Sequence, residues 1–249
     1  MILQRAFVWS LALLAACAEL PQRSALPMEQ RPSVNFNERQ PNFVIIHHTG
    51  EKSVEQTISV LTNPALEVSA HYLIGRDGEI FYLVDELARA WHAGDAYWGG
   101  MRDLNSVSIG IELDNSGGEP FPEPQIEALL GLLADLKERY KIPTANFLGH
   151  GDVAPWRKTD PSVWFPWQRL AEHGFGLWCD PPYLPVPEEV DDMLMLQALG
   201  YSVWRIDPAV EAFKRHFVPH HNWSLMTAHD RGMLYCLVRK QRDFAGYGR

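Results

Sequence analysis

Apolar and polar residues alternate along the first two thirds of the chain in short runs that are typical of strands. The run Phe43-Val44-Ile45-Ile46 is apolar and β-branched, and it predicts a buried strand that ends at His47. Two apolar runs, at 71–74 and 80–84, flank the Asp77-Gly78 turn and predict a hairpin. The strands and the first helix are therefore expected at 43–46, 71–74, 80–84, 107–113 and 146–149, with the helix at 54–62.

The clearest helical pattern follows Pro124, a residue suited to the first position of a helix. One apolar stripe recurs at helical spacing, with Lys137, Glu138 and Arg139 on the opposite side. The stripe consists of Ile126, Leu129, Leu130, Leu133, Leu136 and Tyr140. Helices and strands in this order predict an α/β fold, a mixed β-sheet flanked by helices, over residues 42–180.

The last quarter of the chain shows helical patterns and no strand. A proline-rich linker at 181–187 separates it from the preceding domain. Helices are predicted at 188–199, from Asp207-Pro208, and from Thr227 with Asp230 in a capping box. These form a small C-terminal three-helix domain at 188–240, which should need to dock on its neighbour for stability. Residues 241–249 are expected to be a loose tail.

The N-terminus is typical of an exported protein. An apolar run from Ala6 to Ala16 follows Arg5 and is too short to span a bilayer. It ends in Leu14-Ala15-Ala16-Cys17, which is similar to a bacterial lipobox. Residues 1–17 are therefore predicted to be a lipoprotein signal peptide with lipidation at Cys17. The alternative is an ordinary signal peptide. Residues 18–41, with four prolines, are predicted to be a tether.

Charge and cysteine content narrow the functional classes. The formal net charge of −9 argues against a nucleic-acid partner, because such a protein needs a basic surface. With Cys17 lipidated, two cysteines remain, Cys179 and Cys236. They could pair in an oxidising compartment or stay as two buried thiols, and the sequence does not decide between these alternatives.

Two histidine-containing segments suggest metal chemistry. One is His47-His48 at a strand end, and the other runs from His150 to Asp160. A catalytic zinc takes three imidazole or carboxylate ligands and leaves one open position. Adjacent strand residues point to opposite faces, so only one of His47 and His48 can face a shared metal, and the pattern does not say which. The alternative is that these histidines bind no metal and are hydrogen-bonded structural residues at a strand end or in a loop.

Glu112 interrupts an otherwise apolar strand. A carboxylate there must reach the sheet edge or face a functional cavity. Burial beside a metal would raise its pKa and suit it to act as a general base.

Five segments in order resemble the type 2 N-acetylmuramoyl-L-alanine amidases, across residues 43–170. They are 45–49 (Ile-Ile-His-His-Thr), 69–72 (Ser-Ala-His-Tyr), 90–94 (Ala-Trp-His-Ala-Gly), 108–112 (Ser-Ile-Gly-Ile-Glu) and 150–161, which ends in Lys-Thr-Asp-Pro. The lipobox and the helical C-terminus make the chain most similar to the outer-membrane lipoprotein zinc amidases of that family. The resemblance of 188–240 to a peptidoglycan-binding module is weaker, because the regular Gly-Asp-Gly loop is missing.

The resemblance implies a role for each matching residue. His47, rather than His48, would bind zinc together with His150 and Asp160. Glu112 would be the general base and Lys158 would stabilise the oxyanion. Trp91 and His92 would line the substrate groove, or else pack as neighbouring loop residues. His71 would be structural.

The implied activity is zinc-dependent hydrolysis of the amide between N-acetylmuramic or anhydro-muramic acid and L-alanine of the peptidoglycan stem. We expect a monomer that binds muropeptides and is held by its N-terminal lipid on the periplasmic face of the outer membrane. The alternatives are a non-catalytic peptidoglycan receptor and a lipoprotein that anchors the envelope to the wall through 188–240.

Overall fold

The computed structural model describes residues 31, 35, 40–219 and 225–244. The predicted signal peptide with Cys17, and almost all of the predicted tether, lie outside these residues. Within them, no helix is long and apolar enough to cross a membrane. The residues from 40 onward belong to one compact unit.

A five-stranded sheet forms the centre of this unit. Its strands are β1 (Phe43–His48), β2 (Tyr72–Ile74), β3 (Ile80–Tyr82), β4 (Ser108–Leu113) and β5 (Phe147–Gly149), in the order β3-β2-β4-β1-β5. The β2, β4, β1 and β5 strands are parallel, and β3 pairs antiparallel with β2 as the second strand of the predicted hairpin. The predicted mixed sheet with flanking helices is confirmed.

Alternate residues of β1 and β4 face two different layers. On one side, Val44, Ile46, Ile109 and Ile111 pack against α2 (Glu123–Tyr140) and α4 (Trp167–Glu172) in one apolar cluster. The predicted stripe of α2 supplies this contact, because most of its leucines are fully or nearly fully buried. The shorter helix α1 (Val54–Leu61) links β1 to β2, close to its predicted range.

The opposite layer is formed largely by the C-terminal helices, which are α5 (Asp192–Leu199), α6 (Ile206–Phe217) and α7 (Ala228–Phe244). A second apolar cluster joins Phe43, Ile45 and Leu148 of the sheet to Leu196, Phe213 and Leu234 of these helices. The helices thus share a core with the sheet. The short α3 (His150–Val153) also contacts α6.

Several predicted helix ends were wrong by a few residues. Helix α5 begins at Asp192, not 188, because the Asp191 carboxylate accepts hydrogen bonds from the amides of Met193 and Leu194. Helices α2 and α6 begin before Pro124 and Asp207-Pro208, since a proline is tolerated anywhere in a first turn that lacks intrahelical N–H partners. Helix α7 continues to Phe244, into the segment predicted as a tail.

Covalent and ionic links fasten α6 and α7. Cys179 and Cys236 form a disulfide with a Cα–Cα distance of 6.3 Å, which decides between the two alternatives left by the sequence. Lys214 and Asp230 form a fully buried ion pair at 2.8 Å between α6 and α7. Asp230 also exchanges hydrogen bonds with Thr227, so the predicted capping box is confirmed.

Glu86 ties the loop after β3 to the end of α2. Its carboxylate accepts hydrogen bonds from the Arg139 guanidinium at 2.5 and 2.7 Å and from the hydroxyls of Tyr72 and Tyr140. Burial alone raises the pKa of the Glu86 carboxyl, but these hydrogen bonds outweigh burial and lower the pKa to about 2. The ionised carboxylate therefore stabilises the fold.

We predict that Glu86→Gln lowers the free energy of unfolding at pH 7 by about 2 kcal/mol, because charge-assisted hydrogen bonds are lost. The lowered pKa means that this contribution is complete above the ordinary pKa of 4.5 and disappears as the pH falls to about 2. Denaturant unfolding from pH 7 to pH 2 should show parent and variant converging in acid. Asp135→Asn, which removes an exposed partner of Arg139, is the control and should have a smaller effect. A difference independent of pH would contradict the prediction.

Candidate active site and metal centre

The carboxyl ends of the parallel strands carry the first two site residues. His47 of β1 is paired in register with Glu112 of β4, so both side chains point to the same face of the sheet. The distance from His47 Nδ1 to Glu112 Oε1 is 3.9 Å. Open α/β sheets bind ligands at this edge, where the strands end in loops.

His150 and Asp160 reach the same point from the loop after β5. His150 opens the helical turn α3, and the Gly151 amide donates to the Asp160 carbonyl at 2.6 Å, which closes the segment between them. His47 Nδ1 lies 2.9 Å from His150 Nδ1 and 3.2 Å from Asp160 Oδ2. His150 Nδ1 lies 3.1 Å from the same carboxylate oxygen. The three residues predicted as ligands therefore converge.

Hydrogen bonds on the outer side of His150 determine its tautomer. The Nε2 atom lies 3.2 Å from the Ala93 carbonyl oxygen, which can only accept, and 3.3 Å from Arg157 Nη2, which can only donate. Because Arg157 Nη2 already donates to the Ala93 carbonyl oxygen, we assign the His150 proton to Nε2. Arg157 donates to the same carbonyl oxygen and to that of Asp95. With the proton on Nε2, the Nδ1 atom of His150 directs its lone pair at the cluster.

A chain of hydrogen bonds determines the tautomer of His47 in the same way. Ser108 uses its hydroxyl proton to donate to the Leu104 carbonyl at 2.6 Å, so it accepts from His92 Nε2 at 3.2 Å. His92 Nδ1 is then an acceptor for the Nε2 proton of His47, at 3.1 Å. Nδ1 of His47 is left unprotonated. His92 lies close against β4, where a Cβ on Gly110 would meet its ring at 2.4 Å.

Two imidazole nitrogens and one carboxylate oxygen thus direct lone pairs at one another. Burial, with a further contribution from His150, lowers the pKa of His47 to about 4, so the imidazole is neutral near pH 7. A shared cation would satisfy all three lone pairs, and within the described part of the chain these three residues form a group able to bind a metal ion. The residues fit a metal centre.

His48 points away from the cluster, as expected for the next residue of a strand. Its ring packs against Gly117, where a Cβ would lie 2.6 Å from His48 Cε1. Its Nδ1 is buried without a hydrogen-bond partner in the described structure. The geometry therefore favours His47 over His48 as the ligand.

Glu112 lies beside the cluster with one oxygen unsatisfied. The side chain is 15% exposed, and Oε2 is buried without a hydrogen bond. Burial raises the pKa of Glu112 to about 8, and the neighbouring Asp160 charge adds to the rise while Lys158 opposes it. This carboxyl is therefore placed to exchange protons near neutral pH.

The cluster opens into a cavity of about 390 Å³ that is lined by Glu112, Lys158, Trp91 and His92. The Lys158 charge lowers the pKa of both His47 and Glu112, as expected for an ammonium facing the site. Trp91 is half exposed on the wall, whereas His92 is buried against His47. His71 is fully buried and accepts from the Gly110 amide, which fits a structural role.

Sequence reasoning missed the residues that support the ligands. Gly110 and Ser108 lie two and four positions before Glu112 and share its face, so a period of two along the strand could have indicated them. Asp152 was also missed. It accepts from the Gly149 amide and the Tyr201 hydroxyl and pairs with His216 of α6 at 2.8 Å, which ties the His150 turn to the C-terminal helices.

Comparison with known proteins identifies the family. The N-acetylmuramoyl-L-alanine amidase family profile (Amidase_2) matches residues 37–163. The N-acetylmuramoyl-L-alanine amidase AmiD of Escherichia coli is 32% identical, over 86% of this chain and 91% of that protein. This chain belongs to the N-acetylmuramoyl-L-alanine amidase family. The resemblance seen in the sequence motifs is confirmed.

Solved amidase structures have the same fold. The E. coli AmiD complex with anhydro-N-acetylmuramic acid-L-Ala-D-γ-Glu-L-Lys superposes with a TM-score of 0.72 at 31% identity, covering 88% of this chain and 96% of that chain. AmpDh3 from Pseudomonas aeruginosa, in complex with an anhydromuramic pentapeptide, gives 0.75 at 28% identity, covering 87% and 99%. Both likenesses extend beyond the sheet domain, because they cover most of this chain.

We predict that the amidase binds one divalent metal ion per chain, and that His150→Ala or His47→Ala abolishes binding because either change removes an inward Nδ1 atom. His48→Ala is the matched control, since His48 lies outside the cluster, and it should retain the metal. Elemental analysis of the purified proteins provides the measurement. Retention of metal by His47→Ala together with its loss in His48→Ala would reverse the assignment.

Proposed function

We propose that this chain is a zinc-dependent N-acetylmuramoyl-L-alanine amidase that hydrolyses the amide between muramic or anhydro-muramic acid and L-alanine during cell-wall turnover. Family membership supports the reaction. The observation that carries the proposal is the convergence of two deprotonated imidazole nitrogens and a carboxylate beside a carboxyl of raised pKa. A receptor without catalytic function would have no need for this carboxyl.

His47, His150 and Asp160 would hold the zinc ion. Zinc bonds of about 2.0–2.1 Å in a tetrahedron separate ligand atoms by about 3.3 Å. The observed separations of 2.9 to 3.2 Å are close to this value. When bound, zinc supplies a Lewis acid that polarises the scissile carbonyl and acidifies water.

Glu112 would act as the general base and then as the general acid. Its unsatisfied Oε2 can accept a proton from the attacking water, and the resulting acid can deliver that proton to the leaving alanine nitrogen. Because both transfers use one carboxyl, its pKa must lie close to the working pH. Burial raises the pKa, and the positive charges of Lys158 and a bound cation lower it.

Lys158 would stabilise the negative charge that develops on the carbonyl oxygen. Its ammonium lines the same cavity as Glu112 and already influences the pKa of that carboxyl. A fixed positive charge needs no reorganisation as the oxyanion forms. Trp91, half exposed at the cavity wall, offers an aromatic face to the substrate.

The cellular setting is also part of the proposal. The lipobox at Leu14–Cys17 supports lipidation of Cys17, and Ala18 after it supports sorting to the periplasmic face of the outer membrane. A disulfide between Cys179 and Cys236 suits an oxidising compartment of this kind. The protein would act there as a lipid-anchored monomer on muropeptides or sacculi.

We predict that Glu112→Gln reduces turnover of a muropeptide by about 10²–10⁴-fold, because glutamine keeps the shape of the side chain but cannot accept the proton. Zinc content and muropeptide affinity should stay close to those of the parent, since Glu112 is not a ligand. Product analysis by mass, with zinc measured on the same samples, tests this. Loss of zinc would make Glu112 a ligand, and full activity would leave it a structural residue.

Lys158→Met provides the companion measurement. Oxyanion stabilisation predicts a lower kcat with zinc retained and with the basic form of Glu112 still required for activity. Removal of the Lys158 charge should also raise the pKa of Glu112, which would move the acidic limb of the rate profile to higher pH. An unchanged kcat would exclude the proposed role.

The anchor is tested by Cys17→Ala. We predict that this variant carries no acyl chain and leaves the membrane fraction, or else stays unprocessed with its apolar segment attached. Mass analysis of the mature N-terminus distinguishes these products. A parent protein without an acyl group would disprove the lipoprotein assignment.

A further inference from the structure

Arg215 belongs to helix α6 but lines a groove next to the metal centre. This groove has a volume of about 530 Å³ and shares His48 and Thr159 with the metal cavity. Thr159 precedes the ligand Asp160, so the two cavities adjoin at the loop that carries the ligands. The C-terminal helices thus contribute a cation to the substrate side of the molecule.

Arg215 is held in place without an ionic partner. Its guanidinium lies against Gly151, where a Cβ would meet Nη1 at 2.7 Å. Gly151 follows the ligand His150 directly, so the absence of a side chain there lets the cation approach the ligand loop. Among the described residues, Arg215 forms no ion pair or hydrogen bond that would neutralise its charge or use its donors, although the side chain is partly buried.

The other cations near the metal centre are already engaged. Arg157 donates to the carbonyl oxygens of Ala93 and Asp95, and Arg89 pairs with Asp103. Lys158 lines the metal cavity, where the proposed function reserves it for the oxyanion. Of the cations that line the metal cavity and its two neighbouring cavities in the described structure, Arg215 is therefore the one available for a more distant part of the substrate.

The groove around Arg215 suits a carboxylate. A guanidinium presents paired donors that match the two oxygens of a carboxylate. The hydroxyls of Ser116, Thr159 and Ser162 line the same groove and can complete the hydrogen bonds of such a group. Glu211 also lines the groove and would repel a second carboxylate, but it forms no ion pair with Arg215 among the described residues, so the guanidinium keeps its donors for a ligand. A stem peptide supplies a free carboxylate beyond the scissile bond, because a glutamate linked through its γ-carboxyl keeps its α-carboxylate free.

We propose that Arg215 binds a free carboxylate of the peptidoglycan stem peptide, so that helix α6 forms part of the substrate site. This inference rests on the proposed function and deepens it. It gives the C-terminal helices a role in recognising the peptide, separate from any binding of glycan.

The test compares substrates as well as proteins. Muropeptides carrying L-Ala-D-γ-Glu-L-Lys are prepared as the free acid, with the glutamate α-carboxylate amidated, and with the C-terminal carboxylate amidated. For the parent, kcat/KM should fall about 10- to 100-fold on one of the two amides, the range expected for a hydrogen bond to a charged group. For Arg215→Gln, kcat/KM on the free acid should already be as low as that of the parent on this amide. Amidation should then cause no further decrease in the variant.

Controls separate recognition from folding. Arg205→Gln removes the same charge from the exposed start of α6, outside the groove, and should behave as the parent. Arg215→Lys keeps the charge but not the paired donors, and should be intermediate. The loss in Arg215→Gln should lie mainly in KM, with zinc content unchanged. Equal losses on all three substrates would overturn the inference.

Two further measurements keep the outcome decisive. If Arg215→Gln does not fold, the parent alone decides, because equal rates on the acid and both amides would exclude carboxylate recognition. Calorimetric affinities for the three muropeptides, measured on Glu112→Gln so that the ligand stays intact, separate this inference from the proposed reaction. If the parent is inactive but Glu112→Gln still binds the free acid more tightly than one of the amides, carboxylate recognition is supported and the proposed hydrolysis is rejected. If the three affinities are equal, carboxylate recognition by Arg215 is rejected.

Discussion

The parallel pairing of β1 with its two neighbours determines where His47, Glu112 and His150 lie. The pair with β4 puts His47 opposite Glu112, and the pair with β5 delivers the chain to His150 beside them. The inner nitrogens remain unprotonated because carbonyl and hydroxyl acceptors hold the outer ones, through Ala93 for His150 and through the His92–Ser108 chain for His47. A shift of one residue in the β1–β4 register would turn His47 away from the cluster and destroy the site.

The C-terminal helices belong to the same architecture and are more than an appended module. Their apolar faces complete the layer that covers the site side of the sheet. Asp152 accepts hydrogen bonds from Tyr201 and pairs with His216, which anchors the turn containing His150 from behind. The Asp152 carboxylate obtains two of its partners from this contact, so separating the helices from the sheet would expose an unpaired carboxylate as well as apolar surface.

The sequence predicted the elements better than their ends or their contacts. The stripe of α2 and the apolar runs of β1 and β4 are local patterns, and the structure confirms them. The start of α6 was wrong because Pro208 is compatible with any first-turn position. Neither the Cys179–Cys236 pair nor the contact of His92 with His47 could be predicted, since each joins segments that only the fold brings together. The choice of His47 over His48 needed either the family resemblance or the direction of the side chains.

In the proposed mechanism, opposing electrostatic effects on the pKa of Glu112 would give this one carboxyl two successive roles. An isolated glutamate is almost wholly ionised at neutral pH and would be a weak acid catalyst. Burial under the sheet edge and the charge of Asp160 raise its pKa to about 8, where it would hold its proton and be a poor base. Lys158 lowers the pKa, and a cation held by His47, His150 and Asp160 would lower it further. The same cation would also offset the negative charge of Asp160. In the proposed mechanism the base would become competent as the cation binds. Metal binding and proton transfer would then be coupled through the field at one carboxyl, and the site would gain its general base when the electrophile is in place.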